Sequence, residues 1–141
     1  MPAYATQADL TDRFGAVELA QLTDRDSGQV IDTAVLDRAL ADADAEINSY
    51  LATRYALPLA TTPTVLVRLA ADMARYRLYD ERVTDAVRAR YQDAVSLLKR
   101  LASGEVRLDG ATLQPEPASG SVAVTVRAPA RVFGSDALAG Y

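Results

Sequence analysis

Three runs of apolar residues spaced three or four apart, lying between Asp32 and Leu101 and broken once by a proline turn, constrain this chain to amphipathic helices. The first run is Leu36, Leu40, Ala43, Ile47, Tyr50 and Leu51, which predicts a long helix ending near Leu57-Pro58. The second begins at Thr62-Pro63, read as an N-cap hydroxyl followed by a proline whose missing N–H costs nothing there, and carries Leu66, Leu69, Met73 and Tyr76. The third begins at Thr84-Asp85 and carries Val87, Tyr91, Ala94, Leu98 and Leu101. Lys99 and Arg100 in its last turn, with Gly104 just beyond, suit the negative end of a helix dipole. No single helix can hide such a stripe from water. The expected fold class is therefore mostly α: a small antiparallel helical bundle over residues 1–110, with a linker and a short extended C-terminal docking tail over 111–141.

With 141 residues, 50% of them hydrophobic, the chain can bury one core of useful size. No apolar run approaches the ~18 residues of a membrane span, and Met-Pro-Ala-Tyr-Ala-Thr lacks the charged and apolar regions of a signal peptide, so a soluble, unexported protein without a membrane partner is expected. Cysteine and histidine are both absent. That removes disulfides, thiolate chemistry, the commonest zinc ligand and the side chain most used for proton transfer near neutral pH. Any catalysis would fall to carboxylates, tyrosines or arginines.

Two short helices are expected ahead of the long ones. Thr6 is placed as an N-cap with Asp9 three residues on, and this helix stops at Phe14-Gly15. The next, Ala16 to Leu22, presents Val17, Leu19, Ala20 and Leu22 to one end of the bundle. The run from Thr23 to Asp32 superficially has the alternating oxygens of a calcium loop, but the twelfth position from Asp24 is Val35 where a bidentate glutamate is needed. It reads as a turn in which Asp26 and Gly28 set the backbone and Asp32 caps the long helix; no metal or cofactor is expected. Near the other end, Glu105-Val106-Arg107-Leu108 reads as one short strand before the turn dipeptide Asp109-Gly110. Residues 111–121, rich in Pro, Ser, Gly and Ala, read as a linker.

Charge is unevenly distributed. Residues 1–67 carry ten acids against four bases, and residues 68–108 six acids against nine bases, within a net charge of -4. The outer face of the first long helix holds Asp37, Asp42, Asp44 and Glu46, with Arg38 able to pair with Asp42; this is the candidate acidic face, a channel wall or a subunit contact. Arg68, Arg75, Arg77, Arg88 and Arg90 form the candidate basic face, complementary to it across a subunit boundary. Tyr76 and Tyr79 alternate with arginines as in a nucleic-acid platform, but their spacing puts both on the buried side with hydroxyls at its edge. In the tail, Val122, Val124 and Val126 alternate, and Arg131, Phe133 and Tyr141 add further bulk; these six are the candidate partner-docking residues if the segment docks, a disordered tail being the equal alternative.

The chain resembles the small neck proteins of Mu-like phages and prophages, which are related to the head-tail adaptors of long-tailed phages. The resemblance is carried by Tyr4-Ala-Thr, Asp9-Leu10, Arg13-Phe14-Gly15 and Leu22-Thr23-Asp24. It continues through Tyr50-Leu51, Arg54-Tyr55-Ala56-Leu57-Pro58-Leu59, Asp72-Met73-Ala74-Arg75-Tyr76-Arg77-Leu78, Arg90-Tyr91 with Asp93-Ala94, and the closing Arg131-Val132-Phe133. It implies a non-enzymatic, architectural role: a dodecameric ring of identical subunits between the portal protein and a tail, stopper or tail-terminator protein. DNA would pass through without specific binding, in the virion neck and, during assembly, the host cytoplasm.

Two readings from other classes compete. Short helices joined at Gly15 could be a helix-turn-helix regulator, yet Glu18, Asp24 and Asp26 stand where a recognition helix needs Arg or Lys. A carboxylate-dependent hydrolase would need its acids clustered out of water, and an exposed helix face does not provide that environment.

Overall fold

A computed structural model describes residues 3–115. The helices are α1 (Gln7–Phe14), α2 (Ala16–Thr23), α3 (Thr33–Leu51), α4 (Thr64–Tyr79) and α5 (Asp85–Ser103), with a single 3-10 turn at Asp80–Arg82 between the last two. Helix α4 is the central element. It packs against both α3 and α5, which also touch each other, while α1 and α2 both reach α4 and α2 also meets α3. The short 80–84 connection makes α4 and α5 antiparallel neighbours.

The stripes meet as their spacing requires. Leu36, Leu40, Ala43, Ile47 and Leu51 of α3 face Leu66, Leu69 and Met73 of α4 and Ala94, Leu98 and Leu101 of α5 in one core, which Leu10, Leu19 and Leu22 close from the side of α1 and α2. Each fully buried leucine there contributes roughly 1.5–3 kcal/mol relative to exposure. Helix α4 buries more than a stripe, since every residue from Leu69 to Ala74 is buried, Asp72 included.

Local chemistry fixes the ends. Thr6 and Asp9 form the expected capping box of α1. Gly15, at φ +91°, ends α1 by donating to Thr11 O and also opens α2, a conformation that a side chain would strain. Thr84 caps α5 at Val87 N, and Gly104 takes the left-handed conformation past its end, both as expected. A buried hydroxyl couples α2 to α3: Thr23 Oγ1 donates to Leu19 O (2.7 Å) and accepts from Asp32 N (2.9 Å), while Asp32 caps α3 at Ala34 N and Val35 N.

Several expectations are corrected. Helix α3 ends at Leu51, not near Leu57-Pro58, because Tyr55 is buried and held instead by the returning chain: it bridges Leu113, and Leu108 N donates to its hydroxyl (3.1 Å). Glu105–Leu108 is accordingly not a strand but an irregular segment anchored by buried Leu108. The backbone pairing lies further on, where Ala56 N donates to Thr112 O and Gln114 N to Arg54 O, both at 2.9 Å. Residues at the start of the supposed linker are thus tied to the bundle. Helix α4 starts one residue later than expected, with Pro63 as its N-cap and no hydroxyl bond from Thr62. Val17 is 72% exposed, because α2 is only two turns long and Leu19, Ala20 and Leu22 take the covered side.

Candidate functional site

The turn before α3 is organised by Asp24, where Asp26 was expected. Its carboxylate accepts from the backbone N–H groups of Asp26, Ser27, Gln29 and Val30 and from the Ser27 hydroxyl (2.6 Å). Those bonds, the Ser27 hydroxyl first, hold its carboxyl well below the usual carboxylate range. Oxygens saturated by N–H donors have no lone pairs aimed at a cation. Among the described residues no group of three or more Asp or Glu side chains could hold a metal ion.

The residues placed on the acidic face divide into two kinds. Asp37 and Asp42 lie exposed on α3, and among the described residues neither pairs with a base, Arg38 included. Asp44 and Glu46 are half-buried and already engaged. Asp44 Oδ1 accepts from Tyr4 N (3.1 Å), burial pushes its carboxyl up, and the Tyr4 hydroxyl donates to Asn48 beside it. Glu46 receives Arg77 Nη2 (2.8 Å) on one oxygen and the Tyr91 hydroxyl (2.7 Å) on the other. Tyr91 lies flat against Tyr76, ring centroids 4.1 Å apart, and burial together with its bond to Glu46 pushes its phenol up to about 12. Tyr76 and Tyr79 are therefore half-buried at the helix seams and not inside the core, because Leu78 takes the inward position.

The basic face divides in the same way. Arg75 donates from Nε and Nη2 to both oxygens of Glu18 (2.8 and 3.0 Å) and covers the Phe14 ring at 4.3 Å, joining α4 to α1 and α2. The hydrogen bonds to Glu18 raise its guanidinium above its usual range. Arg77 is held by Glu46, and Arg88 makes an exposed pair with Asp85 at 3.6 Å. Arg68 and Arg90 both turn to Asp72, at 3.8 and 3.6 Å. Arg13 of α1 is near enough for its charge to act on the same carboxylate, whose pKa is nevertheless raised because burial outweighs the arginines.

Asp72 and Arg13 were not among the candidate residues. The legible signal was a single acid inside the apolar run Leu69–Ala74 with an arginine four residues before it. Arg54 was missed as well. Its guanidinium lies across Gly104, within 2.8 Å of where a Cβ would stand, and so sets a positive charge against the C-terminal end of α5. Two of the surface hollows among the described residues lie beside Asp44 and Leu108. One, of about 260 Å³, is lined by Tyr4, Asp44, Asn48, Pro58 and Leu59. The other, about 590 Å³, lies between the start of α4 and the end of α5 and is lined by Val65, Leu97, Leu101, Val106 and Leu108. The docking candidates Val122, Val124, Val126, Arg131, Phe133 and Tyr141 lie outside the described residues.

The bundle with its engaged and open charges has relatives among phage proteins. The profile of the family described as Bacteriophage Mu, Gp36 matches residues 4–126, which takes in every described helix. The chain belongs to the bacteriophage Mu Gp36 family. It is similar to the Mu-like prophage FluMu protein gp36 of Haemophilus influenzae, 40% identical over 108 residues that cover 77% of each chain. It is also similar to gene product J of Escherichia phage Mu, 37% identical over 103 residues, 72% of this chain and 73% of that one. In this Gp36 family member the resemblance motifs have physical roles: Arg54-Tyr55 anchors the returning chain, and the Asp72–Leu78 run carries the buried carboxylate and the arginines that bind α1, α2 and α3 to α4. No described helix is long and apolar enough to cross a membrane.

Proposed function

We propose that this Gp36 family protein is a structural subunit of a Mu-like phage or prophage particle, a head-tail adaptor that forms a ring, a dodecamer, in the virion neck between the portal and a tail, stopper or tail-terminator protein. The observation that carries the reading is the family match across residues 4–126. The arrangement of charge supports it. Arg75 and Arg77 are spent on internal partners, and α2, the helix a regulator would send into a DNA groove, contains no Arg or Lys and has Glu18 bound to Arg75. A chain of net charge -4 has little to release counterions from phosphate, so DNA would move past a ring of such subunits without being retained. Assembly would take place in the host cytoplasm.

The test is genetic and structural. Deleting the gene from an inducible prophage should give filled heads without attached tails in electron micrographs, and supplying the full chain should restore joined particles containing it. Joined, infectious particles in its absence would overturn the reading, as would tailless heads that the chain fails to restore.

A further inference from the structure

Asp72 is held unlike any other carboxylate in the bundle. Its side chain is only 4% exposed, yet its two arginines stand off at 3.6 and 3.8 Å, beyond hydrogen-bond distance, and are themselves 49% (Arg68) and 60% (Arg90) exposed. Among the described residues neither arginine has a second acid within 4 Å. Two guanidiniums from two helices thus stand over one carboxylate, a local surplus of one positive charge, and the charge of Arg13 on α1 also acts on it.

We propose that Arg68 and Arg90 form a socket for a carboxylate of a second copy of this chain, and that an exposed acid of α3, Asp37 or Asp42, is the group it receives. The proposal rests on the ring reading above and names the contact that closes it. Asp37 and Asp42 are the exposed, unpaired members of the acidic face and stand on α3, whereas the socket stands on α4 and α5. Two different complementary surfaces on one chain are what a head-to-tail ring contact requires. Asp72 positions the socket: it draws the guanidiniums together against their mutual repulsion without using up their N–H groups. The contact is polar and exposed, so salt weakens it within the screening length of about 10 Å at 0.1 M.

The experiment is a charge exchange on the full-length protein, read by sedimentation velocity at low salt across a wide concentration range. Arg68→Glu/Arg90→Glu and, separately, Asp37→Arg/Asp42→Arg should each weaken self-association by at least about tenfold, and the protein carrying all four changes should recover most of it. Since glutamates beside Asp72 strain the monomer, Arg68→Gln/Arg90→Gln, checked by its melting curve, should show the same loss in a folded protein. Wild-type chains that stay monomeric throughout would overturn the socket as a self-contact. Self-association unaffected by the arginine changes would overturn it while leaving the ring reading intact, because particle joining tests that separately. Loss of binding to a short DNA duplex in the Arg→Gln protein, with self-association unchanged, would make the socket a phosphate site instead.

Discussion

Two arginines seven residues apart on α4, Arg75 and Arg68, are put to opposite uses. Arg75 lies over Phe14 and gives two short bonds to Glu18, both partners mostly out of water. Arg68 reaches a buried carboxylate only at 3.8 Å and leaves half its side chain in solvent. Bidentate, partly desolvated pairs lock helices together, whereas a loose exposed pair contributes little to stability and keeps its donors available. Charge thus does two jobs along one face of α4: at Arg75 it ties α4 to α2, and two turns earlier, at Arg68, it remains open.

The scale for this contrast is set by the core. Ile47→Ala, at a fully buried position of α3, should destabilise by roughly 2–5 kcal/mol in urea melts. Arg75→Ala should cost about 1.5–3 kcal/mol, since it removes charge-assisted bonds and leaves Glu18 half-buried without its partner. Arg68→Ala should stay within about 0.5 kcal/mol, as expected of an exposed pair. Equal losses at Arg75 and Arg68 would abolish the distinction, and a loss at Arg68 above that at Arg75 would reverse it.

The sequence carried the helices well and the pairing of charges poorly, for a physical reason. Stripes such as Leu36–Leu51 and Val87–Leu101 repeat with the helix period, and caps such as Thr6, Asp32, Thr84 and Gly104 act within four residues, so both can be read locally. The end of α3 could not be read that way. Leu57-Pro58 is the nearest local stop signal, but the chain turns earlier because Tyr55 is claimed by Leu108 and Leu113, more than fifty residues away. The charged faces failed for the same reason. Glu46 looks like any exposed acid until Arg77 and Tyr91 arrive from two other helices, and Asp44 until the N-terminal segment folds over it. Asp72 alone announced itself locally, as an acid inside an apolar run.

The smallest effect expected is also the most direct test of how loosely Asp72 is held. Its carboxyl titrates above the ordinary 3.8 because burial penalises the charged form more than Arg90, Arg68 and Arg13, the charged groups facing it from α5, α4 and α1, favour it. The folded state therefore binds this proton more tightly than the unfolded chain does. Its contribution is fully present below 3.8 and is lost as pH rises through the raised value. Asp72→Asn keeps the shape of the protonated acid and cannot lose that proton. Asp24, lowered by its turn, and Asp44, raised by burial, titrate alike in both proteins and cancel from the difference. The variant should thus match the wild type in acid and gain on it as pH rises from about 3.8 to neutrality, when urea midpoints are followed across that range. A variant that instead falls behind as pH rises would mean that the arginines hold Asp72 firmly, that the pair resembles Arg75 and Glu18 after all, and that its guanidinium donors are not free for a second chain.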